Sequence, residues 1–314
     1  MFLLTEMHGK RHSFIHKMLP VTEQENPRTA NIDRVSTLEA ARLINAEDKL
    51  VAAAVEKVLP QIAASIDKIV ERLKKGGRLF YVGTGTSGRL GVLDASEIPP
   101  TFGVSYELVQ GIIAGGYDAL YKATESSEDN REAGKIDLQK RDLTAKDAVI
   151  GIAASGGTPY TIGAVEYAKN SGCFTACVAC VPDSEITKAA EVAIVPIVGA
   201  EVIAGSSRMK AGTAQKMVLN MISTCAMIRL GYVKGNRMTN VKSSNIKLKK
   251  RSLRILMTET HLDEAAAQHL LNEADGDLRI ALVMFKTNAN REISEKALNK
   301  TNFVVEKAIE LLNK

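Results

Sequence analysis

The sequence predicts an α/β fold with a parallel sheet covered by helices on both faces, and two observations support this. From Arg78 onward, short apolar segments alternate with amphipathic helical segments. The apolar segments are nearly continuous, which is typical of strands buried on both faces of a parallel sheet. The predicted strands are Leu79–Val82, Leu108–Ile113, Ala148–Ala153, Phe174–Val181 and Val192–Val198, and the helices between them are Ser87–Glu97, Arg131–Lys140, Pro159–Asn170 and Ser184–Ala190.

Helices are also predicted on either side of this region. Ser36-Thr-Leu-Glu39 fits a capping box, and helical periodicity then continues to the basic, glycine-terminated end Lys74-Lys75-Gly76-Gly77. A long helix is predicted at Ser207–Leu230, and four short ones follow at Asp263–Glu273, Asp277–Phe285, Arg291–Leu298 and Val304–Leu312. We therefore expect a tail over residues 1–20, a main domain over 21–256 and a small helical module over 257–314.

The composition is that of a globular protein with an aliphatic core. Of the 314 residues 45% are hydrophobic, but only 4% are aromatic and Trp is absent. The longest apolar runs are far shorter than the roughly 20 residues that a membrane span needs. The amino terminus lacks the apolar region of a secretory signal. A cytoplasmic protein without membrane contact is therefore expected.

The net charge of +5 is concentrated in one segment. Between Gly231 and Leu256 there is no acidic residue, and the cations are Lys234, Arg237, Lys242, Lys247, Lys249, Lys250, Arg251 and Arg254. Such a segment could bind nucleic acid, or it could be a solvated helix face or a rim that attracts anionic ligands. Because Tyr232 is the only aromatic residue there to stack on bases, we favour the second interpretation and expect no nucleic-acid partner.

Three cysteines raise the question of a metal or redox site. Cys177 and Cys180 form a C-x-x-C pair, but they lie in an apolar strand pattern with Cys173. Strand residues three apart point to opposite faces, so the pair cannot easily share a metal. We interpret these cysteines as buried, reduced thiols and expect no metal site.

Three turns rich in glycine and hydroxyl groups follow predicted strands. The first turn is Gly83-Thr-Gly-Thr-Ser-Gly-Arg89, the second is Ser155-Gly-Gly-Thr-Pro159, and the third is Gly205-Ser-Ser-Arg-Met-Lys-Ala-Gly212. In an open parallel sheet, ligands bind at the carboxyl ends of strands, where helix N-termini present free N–H groups. The three turns together predict a site for a small anion, with contacts from Thr84, Thr86, Ser87, Ser155, Gly156, Thr158, Ser206 and Ser207.

The first turn also fits the G-x-G-x-x-G pattern of dinucleotide-binding proteins. That pattern requires an acidic residue at the end of the next strand, about 20 residues further on, to bind the ribose. Here the next strand ends in Ile112-Ile-Ala-Gly-Gly116, without an acid. A compact terminal phosphate is therefore favoured over a dinucleotide.

Longer strings around these turns closely resemble the sugar isomerase (SIS) superfamily, and within it the N-acetylmuramic acid 6-phosphate etherases. The resemblance extends from Asn26 to about Arg254. It includes Ile32-Asp-Arg-Val-Ser-Thr-Leu-Glu39, Val82–Glu97 with its Asp94-Ala-Ser-Glu97 end, Gly151–Tyr160 and Val198–Lys216. One departure is Gly157, which stands where the family usually has a larger polar residue.

The resemblance implies a flavodoxin-like doubly wound sheet, a homodimer with sites near its interface, and no metal or organic cofactor. It implies cleavage of the D-lactyl ether of a phosphorylated amino sugar, giving N-acetylglucosamine 6-phosphate and D-lactate in the recycling of cell-wall peptidoglycan. It also implies that the carboxy-terminal helices form a small ubiquitin-associated-like module.

Two glutamates are candidates for the acid and base that such an elimination needs. Glu97 follows the first turn by one predicted helix and precedes Pro99-Pro100, where the negative helix end would favour a protonated acid. The family's second glutamate matches Glu128, which we assign as the base at C2. The residues alone do not separate Glu128 from Glu125, Asp129 or Glu132, and Glu201 could substitute in either role.

Two other functions remain open on the same scaffold. An aldose–ketose isomerase also needs a base at C2 but releases no lactate. A non-catalytic sugar-phosphate regulator would bind the ligand without turning it over, and a DNA-binding version would need a helix pair that reads DNA. Fold alone does not separate these functions.

Overall fold

The computed structural model describes residues 19–122, 127–240 and 246–313, except for the side chains of Ile246 and Lys247. The described residues form two compact units. The first contains those up to Asp94 and those from Gln110 to Ile222, and the second contains Ala95–Val109 and those from Ser223 onward. The predicted tail lies outside the described residues apart from Leu19 and Pro20. The predicted 257–314 module lies within the second unit, and its boundary stays a prediction.

The first unit is built on a five-stranded sheet of order β2-β1-β3-β4-β5. The β1–β3, β3–β4 and β4–β5 pairs are parallel. This strand order is that of flavodoxin-like folds, so the predicted fold class is confirmed. The strands are β1 (Leu79–Gly83), β2 (Val109–Ile113), β3 (Ala148–Ile152), β4 (Phe174–Val178) and β5 (Val192–Ile194).

The helices before and between the strands are close to those predicted. Ser36 caps α1 by accepting a hydrogen bond from the Glu39 N–H at 3.3 Å, as one half of a capping box does. Gly77 N–H donates to the Arg72 carbonyl at 3.0 Å and closes the end of α2. The helices are α1 (Thr37–Glu56), α2 (Leu59–Lys74), α3 (Gly85–Phe102), α4 (Arg131–Gln139), α5 (Pro159–Asn170), α6 (Glu185–Ala189) and α7 (Lys210–Leu230).

The second unit consists mainly of short helices around an aliphatic core. Asp263 and Asn290 each cap a helix by accepting a backbone N–H, at 2.8 and 2.9 Å. Leu256, Leu278 and Leu298 are among the buried side chains that join the helices. After the end of α7, the helices of this unit are α8 (Ile246–Thr260), α9 (Glu264–Glu273), α10 (Leu278–Thr287), α11 (Arg291–Lys300) and α12 (Val305–Leu312).

The largest difference from the prediction is the end of α3. The helix was expected to end at Glu97, but it continues through Pro99 and Pro100 to Phe102. Gly103 N–H donates to the Pro99 carbonyl at 2.9 Å, so the helix is closed after both prolines. Proline has no N–H but its fixed φ is compatible with helix. Glu97 therefore lies more than one turn before the helix end, and the helix-end interaction expected for it is absent.

The cysteine prediction is confirmed. Cys173, Cys177 and Cys180 are buried, reduced thiols. Burial raises the pKa of Cys173 to about 11 and those of Cys177 and Cys180 to about 12. These thiols are therefore protonated at neutral pH and belong to the core. No helix in the described ranges is both long and apolar enough to cross a bilayer.

Candidate active site

The first and second turns leave the sheet at the same edge. Gly83 at the end of β1 pairs in register with Ile152 at the end of β3, so both turns begin at the carboxyl ends of adjacent parallel strands. In this strand order, the gap between β1 and β3 is the point where chain connections diverge to opposite sides. A ligand-sized crevice is expected at such a point, and the predicted anion turns lie there.

The first turn is tightly closed, and α3 begins within it. Gly88 N–H donates to the Thr84 carbonyl at 2.9 Å. A Cβ added at Gly88 would lie 2.7 Å from the Gly83 carbonyl oxygen, so no larger residue fits without movement. Thr84 and Ser87 are mostly buried and Thr86 is half-buried. The closed turn therefore holds two threonines and a serine at the N-terminus of α3.

Glu128 lies between the N-termini of α3 and α5. Its backbone carbonyl accepts a hydrogen bond from the Tyr160 N–H at 3.0 Å, in the first turn of α5. Its side chain lies at the start of α3, because a Cβ added at Gly85 would be 3.2 Å from Glu128 Oε1. Negative groups are stabilised beside helix N-termini. The half-buried Glu128 carboxylate therefore lies beside the first turn, where the crevice is expected.

The other acids that the sequence left open are placed differently. Glu132 is exposed and pairs with Lys135 at 2.6 Å, and Asp129 is exposed next to Glu128. Glu125 lies outside the described residues. Within the described chain, Glu128 is thus the acid of this loop that contacts the first turn.

The second turn presents hydroxyl groups that α5 does not use. Ser155 Oγ accepts the Gly157 N–H at 3.4 Å, which leaves its own hydroxyl proton for a ligand. Thr158 is the N-cap residue of α5, but its side chain does not make the capping hydrogen bond. Ser155 is exposed and Thr158 half-buried. Both hydroxyls can therefore donate to an anion at the N-terminus of α5.

The two glycines of the second turn differ in what they tolerate. Gly156 has φ +72°, and a Cβ there would lie 2.0 Å from Ser184 Oγ, whereas a Cβ at Gly157 meets nothing within 4 Å. Of these two positions, the turn therefore requires glycine only at 156, and position 157 has room for the larger polar residue that the family resemblance leads us to expect.

Gly156→Ala is expected to lower the free energy of unfolding by at least about 1–2 kcal/mol, the cost of a left-handed alanine. The clash with Ser184 adds to this cost. Gly157→Ala is the matched control and should change stability by less than about 0.5 kcal/mol. Thermal melts of the two variants test this, and equal melting temperatures would contradict the described turn.

The start of α7 lies against the first turn. A Cβ added at Gly212 would be 3.4 Å from Thr86 Cγ2. Ser87 Oγ donates to Gln215 Oε1 at 3.0 Å, and Gln215 is fully buried. The Ser87 hydroxyl must therefore leave Gln215 before it can donate to a phosphate. No local sequence pattern indicates this contact, because its partners are 128 residues apart.

Glu201 occupies the N-terminus of α7, so its predicted role as a substitute acid or base is not supported. Its two carboxylate oxygens accept the N–H groups of Lys210 and Ala211, each at 2.9 Å. The side chain is fully buried, and this burial raises its pKa. Both oxygens are thus committed to the helix and are inaccessible to a sugar.

Ser206 and Ser207 of the third turn are half-buried and precede this capped helix. Since Glu201 already binds two of the amides of α7, a phosphate at the third turn would depend on the serine hydroxyls. Gly205 N–H also donates to the Thr22 carbonyl at 3.1 Å, which ties the third turn to the segment before α1. The contact of Ser206 and Ser207 with ligand stays a prediction.

A charge network around the buried side chains of Glu47 and Lys210 was not predicted. Lys210 Nζ, fully buried, lies 2.7 Å from Glu47 Oε2, and Arg28 Nη2 donates to the same oxygen at 2.8 Å. Hydrogen bonds from Arg28 first, and then Lys210, lower the pKa of Glu47 to about 2. The network fixes α1 against the start of α7. Its members are distant in sequence, so no local pattern indicates it.

Glu97 belongs to the second unit. It lies on α3, twelve residues after Gly85, and its side chain is exposed. α3 therefore begins in the first turn, and twelve residues at ~1.5 Å each put Glu97 roughly 18 Å further along the helix, so α3 does not bring it beside that turn.

An open parallel sheet with hydroxyl-rich turns at its divergence point is typical of α/β domains that bind phosphate-bearing ligands. In agreement, residues 61–169 match the family model of the glucokinase regulatory protein N-terminal SIS domain. This range contains the first two turns and Glu128.

Similarity to curated relatives extends over most of the chain. It is 51% identical to the N-acetylmuramic acid 6-phosphate etherase of Photorhabdus laumondii, over 89% of this chain and 93% of the relative. It is 49% identical to that of Clostridioides difficile, over 94% and 97%, and 57% identical to that of Symbiobacterium thermophilum, over 84% and 87%. The chain belongs to the N-acetylmuramic acid 6-phosphate etherase family.

Proposed function

We propose that the chain is a carbon–oxygen lyase that cleaves the D-lactyl ether of N-acetylmuramic acid 6-phosphate. The products are N-acetylglucosamine 6-phosphate and D-lactate, in the catabolism of amino sugars recycled from peptidoglycan. Family membership supports the reaction. The observation that carries the mechanism is the position of the Glu128 carboxylate beside Gly85 at the N-terminus of α3.

The chemistry is an elimination followed by addition of water. In the open-chain sugar, the C1 aldehyde acidifies the C2 proton, which a base removes. Electrons of the C2–H bond form the C2–C3 double bond, the C3–O bond breaks, and an acid protonates the departing lactyl oxygen. Water then adds at C3 while a proton returns to C2. One base and one acid are sufficient for both halves.

Glu128 is proposed as the base. Its carboxylate lies beside the start of α3, next to the hydroxyl groups proposed to hold the 6-phosphate. A sugar bound by its phosphate at the two helix N-termini would place its carbon chain within the same crevice. Glu97, whose side chain is exposed, is proposed as the acid on the basis of the family resemblance alone.

The phosphate is proposed to bind to the first and second turns. Thr84, Thr86, Ser87 and Thr158 offer hydroxyl groups there, with Ser155 and the Gly156 backbone, while Ser206 and Ser207 extend the site on the third turn. Helix N-termini add partial positive charge. This combination suits a compact dianion without requiring a basic side chain.

Alanine at Thr86, Ser87, Ser155 or Thr158 is expected to weaken substrate binding. A lost hydrogen bond to a charged group costs about 1.5–3 kcal/mol, roughly a 10- to 150-fold rise in KM. Unphosphorylated N-acetylmuramic acid should be nearly indifferent to the same changes. Ser171→Ala, at the other end of α5, is the matched control. Equal losses for both sugars would show that these turns bind something other than phosphate.

The proposals on location, oligomeric state and cofactors rest on the family resemblance. We propose a cytoplasmic homodimer that needs neither a metal nor an organic cofactor. Sedimentation of the purified chain tests the dimer, and a monomer with full activity would contradict it.

An enzymatic D-lactate assay tests the proposed activity. Release of D-lactate from the 6-phosphorylated sugar is expected, undiminished by chelator. Formation of a ketose phosphate without lactate would indicate an isomerase, and tight binding without turnover would indicate a regulator. Loss of activity with chelator and its return with a divalent ion would contradict the cofactor-free reaction.

A further inference from the structure

The second unit contains an arginine-lined cavity of about 310 Å³. One wall is the segment around Asn236 and Arg237, and the other is a face of α8 that carries Arg251 and Arg254. The cavity belongs to the basic segment of the sequence, which the proposed reaction does not use.

The wall around Asn236 is held in place by its own backbone. Lys234 and Arg237 exchange two hydrogen bonds, N–H to carbonyl, at 3.1 and 2.9 Å. Arg237 Nε also donates to the buried Glu259 at 2.8 Å, and Lys234 Nζ lies 3.3 Å from the same carboxylate. Asn236 is thus presented at the tip of a fixed turn, and Arg237 has a fixed orientation.

Positive charge in the cavity is incompletely balanced. Lys234 and Arg237 are balanced by Glu259 and Glu306: both cations pair with Glu259, and Lys234 Nζ also lies 2.8 Å from Glu306 Oε1. In the ranges that the structure describes, neither Arg251 nor Arg254 forms an ion pair with a carboxylate. Arg251 is half-buried and Arg254 exposed. Residues three apart on a helix lie on one face, so the two guanidinium groups can approach one anion together.

The lining also offers no aromatic ring on which a base could stack. Bases are usually held by stacking on aromatic rings. The residues that line this cavity include no aromatic side chain, and Tyr232 nearby in sequence is buried. The rest of the lining is Met238 and Ile255, which are apolar, with Asn236 and Thr258 as polar groups. This mixture suits the body of a small polar molecule.

We propose that this cavity is a second anion site, which binds a small phosphomonoester. Arg251 and Arg254 bind the phosphate through their guanidinium forks, which match phosphate geometry. Asn236 and Thr258 hydrogen-bond to the polar body of the ligand, and Met238 and Ile255 contact its apolar surface. Thr258 Oγ1 already donates to the Arg254 carbonyl at 2.9 Å, so it serves the ligand as an acceptor. The size is at the lower end of small-molecule sites.

The test uses the full chain and glucose 6-phosphate as probe, measured by calorimetry. All variants carry Thr86→Ala and Ser87→Ala to weaken the first turn, so that the remaining binding reports the cavity. The pair Arg251→Ala and Arg254→Ala should weaken this binding at least 10-fold. The matched control, Lys249→Ala with Lys250→Ala, removes the same charge from exposed positions of the same helix and should change binding less than twofold.

A second pair keeps the proposal testable if the alanine variant does not fold. Arg251→Lys with Arg254→Lys retains the charge but loses the forks, and should weaken binding several-fold. Equal weakening by the Arg251→Ala, Arg254→Ala pair and by the Lys249→Ala, Lys250→Ala pair would overturn the proposal, because it would show that diffuse positive charge attracts the ligand. Absence of saturable binding would also overturn it. The proposal would also be overturned if the Arg251→Ala, Arg254→Ala pair left glucose 6-phosphate binding unchanged but lost binding of a single-stranded oligonucleotide. That result would make this face a nucleic-acid surface.

Discussion

Glu128→Gln is expected to abolish exchange of the C2 proton of the substrate with deuterated solvent. A neutral amide cannot accept the proton, and a general base typically contributes about 10²–10⁴-fold to rate. Lactate release should fall by a similar factor, because loss of the leaving group requires the C2 carbanion. NMR of the substrate C2 proton in deuterated buffer measures the exchange directly.

Asp129→Asn is the matched control for this experiment. It removes the same charge from the exposed neighbour of Glu128 and should leave exchange within about twofold of wild type. If exchange persisted in Glu128→Gln with the fold intact, the base would lie elsewhere. Glu201→Gln should lower stability by uncapping α7 without stopping exchange, and a stable but exchange-dead Glu201 variant would contradict its assignment as a cap.

Glu97→Gln is expected to slow lactate departure while some C2 exchange remains. Proton removal precedes loss of the leaving group, so removal of the acid blocks the second event more than the first. The expected loss of turnover is about 10²–10⁴-fold. The ratio of the exchange rate to the rate of lactate release should therefore rise in this variant.

The ratio of C2 exchange to lactate release also distinguishes the role of Glu97 from that of Glu128. Glu295→Gln, an exposed carboxylate on α11, is the control for Glu97 and should leave both rates unchanged. If Glu97→Gln stopped C2 proton exchange and Glu128→Gln retained it, Glu97 would be the base and Glu128 the acid.

Most strands and helices could be predicted because their boundaries are set locally. The range of α5, Pro159–Asn170, was predicted without error, since Pro at the first position and Gly172 beyond the end mark both limits. One strand end was predicted wrongly although a local residue marks it. The fifth strand ends at Ile194 instead of Val198, and Pro196, which cannot donate to a ladder, lies between these residues.

The starts and ends of two long helices show what local patterns miss. α3 continues through Pro99-Pro100, although a proline pair usually marks an end. α7 begins at Lys210 instead of Ser207, and Glu201 binds its first amides from nine residues upstream. Such a cap depends on how the chain folds back and leaves no short sequence motif.

The candidate site also contains some features that could be predicted from the sequence and others that could not. The hydroxyl-rich turns could be found from sequence because close backbone turns require glycine and anions require donors. The choice of Glu128 over its neighbours required the family resemblance, and the structure adds the contact with Gly85 that supports this choice. The Gln215 contact and the Arg28–Glu47–Lys210 network join distant segments, so they needed the fold.

Turnover of N-acetylmuramic acid 6-phosphate in ¹⁸O-labelled water tests the central claim most directly, because it reports which bond to the ether oxygen breaks. Elimination across C2–C3 breaks the bond between C3 and the oxygen, and water then adds at C3. The N-acetylglucosamine 6-phosphate should therefore carry one ¹⁸O at C3, while the D-lactate hydroxyl retains the original ether oxygen. Label in the lactate hydroxyl, with none at C3 of the sugar, would contradict the elimination and the roles proposed for Glu128 and Glu97.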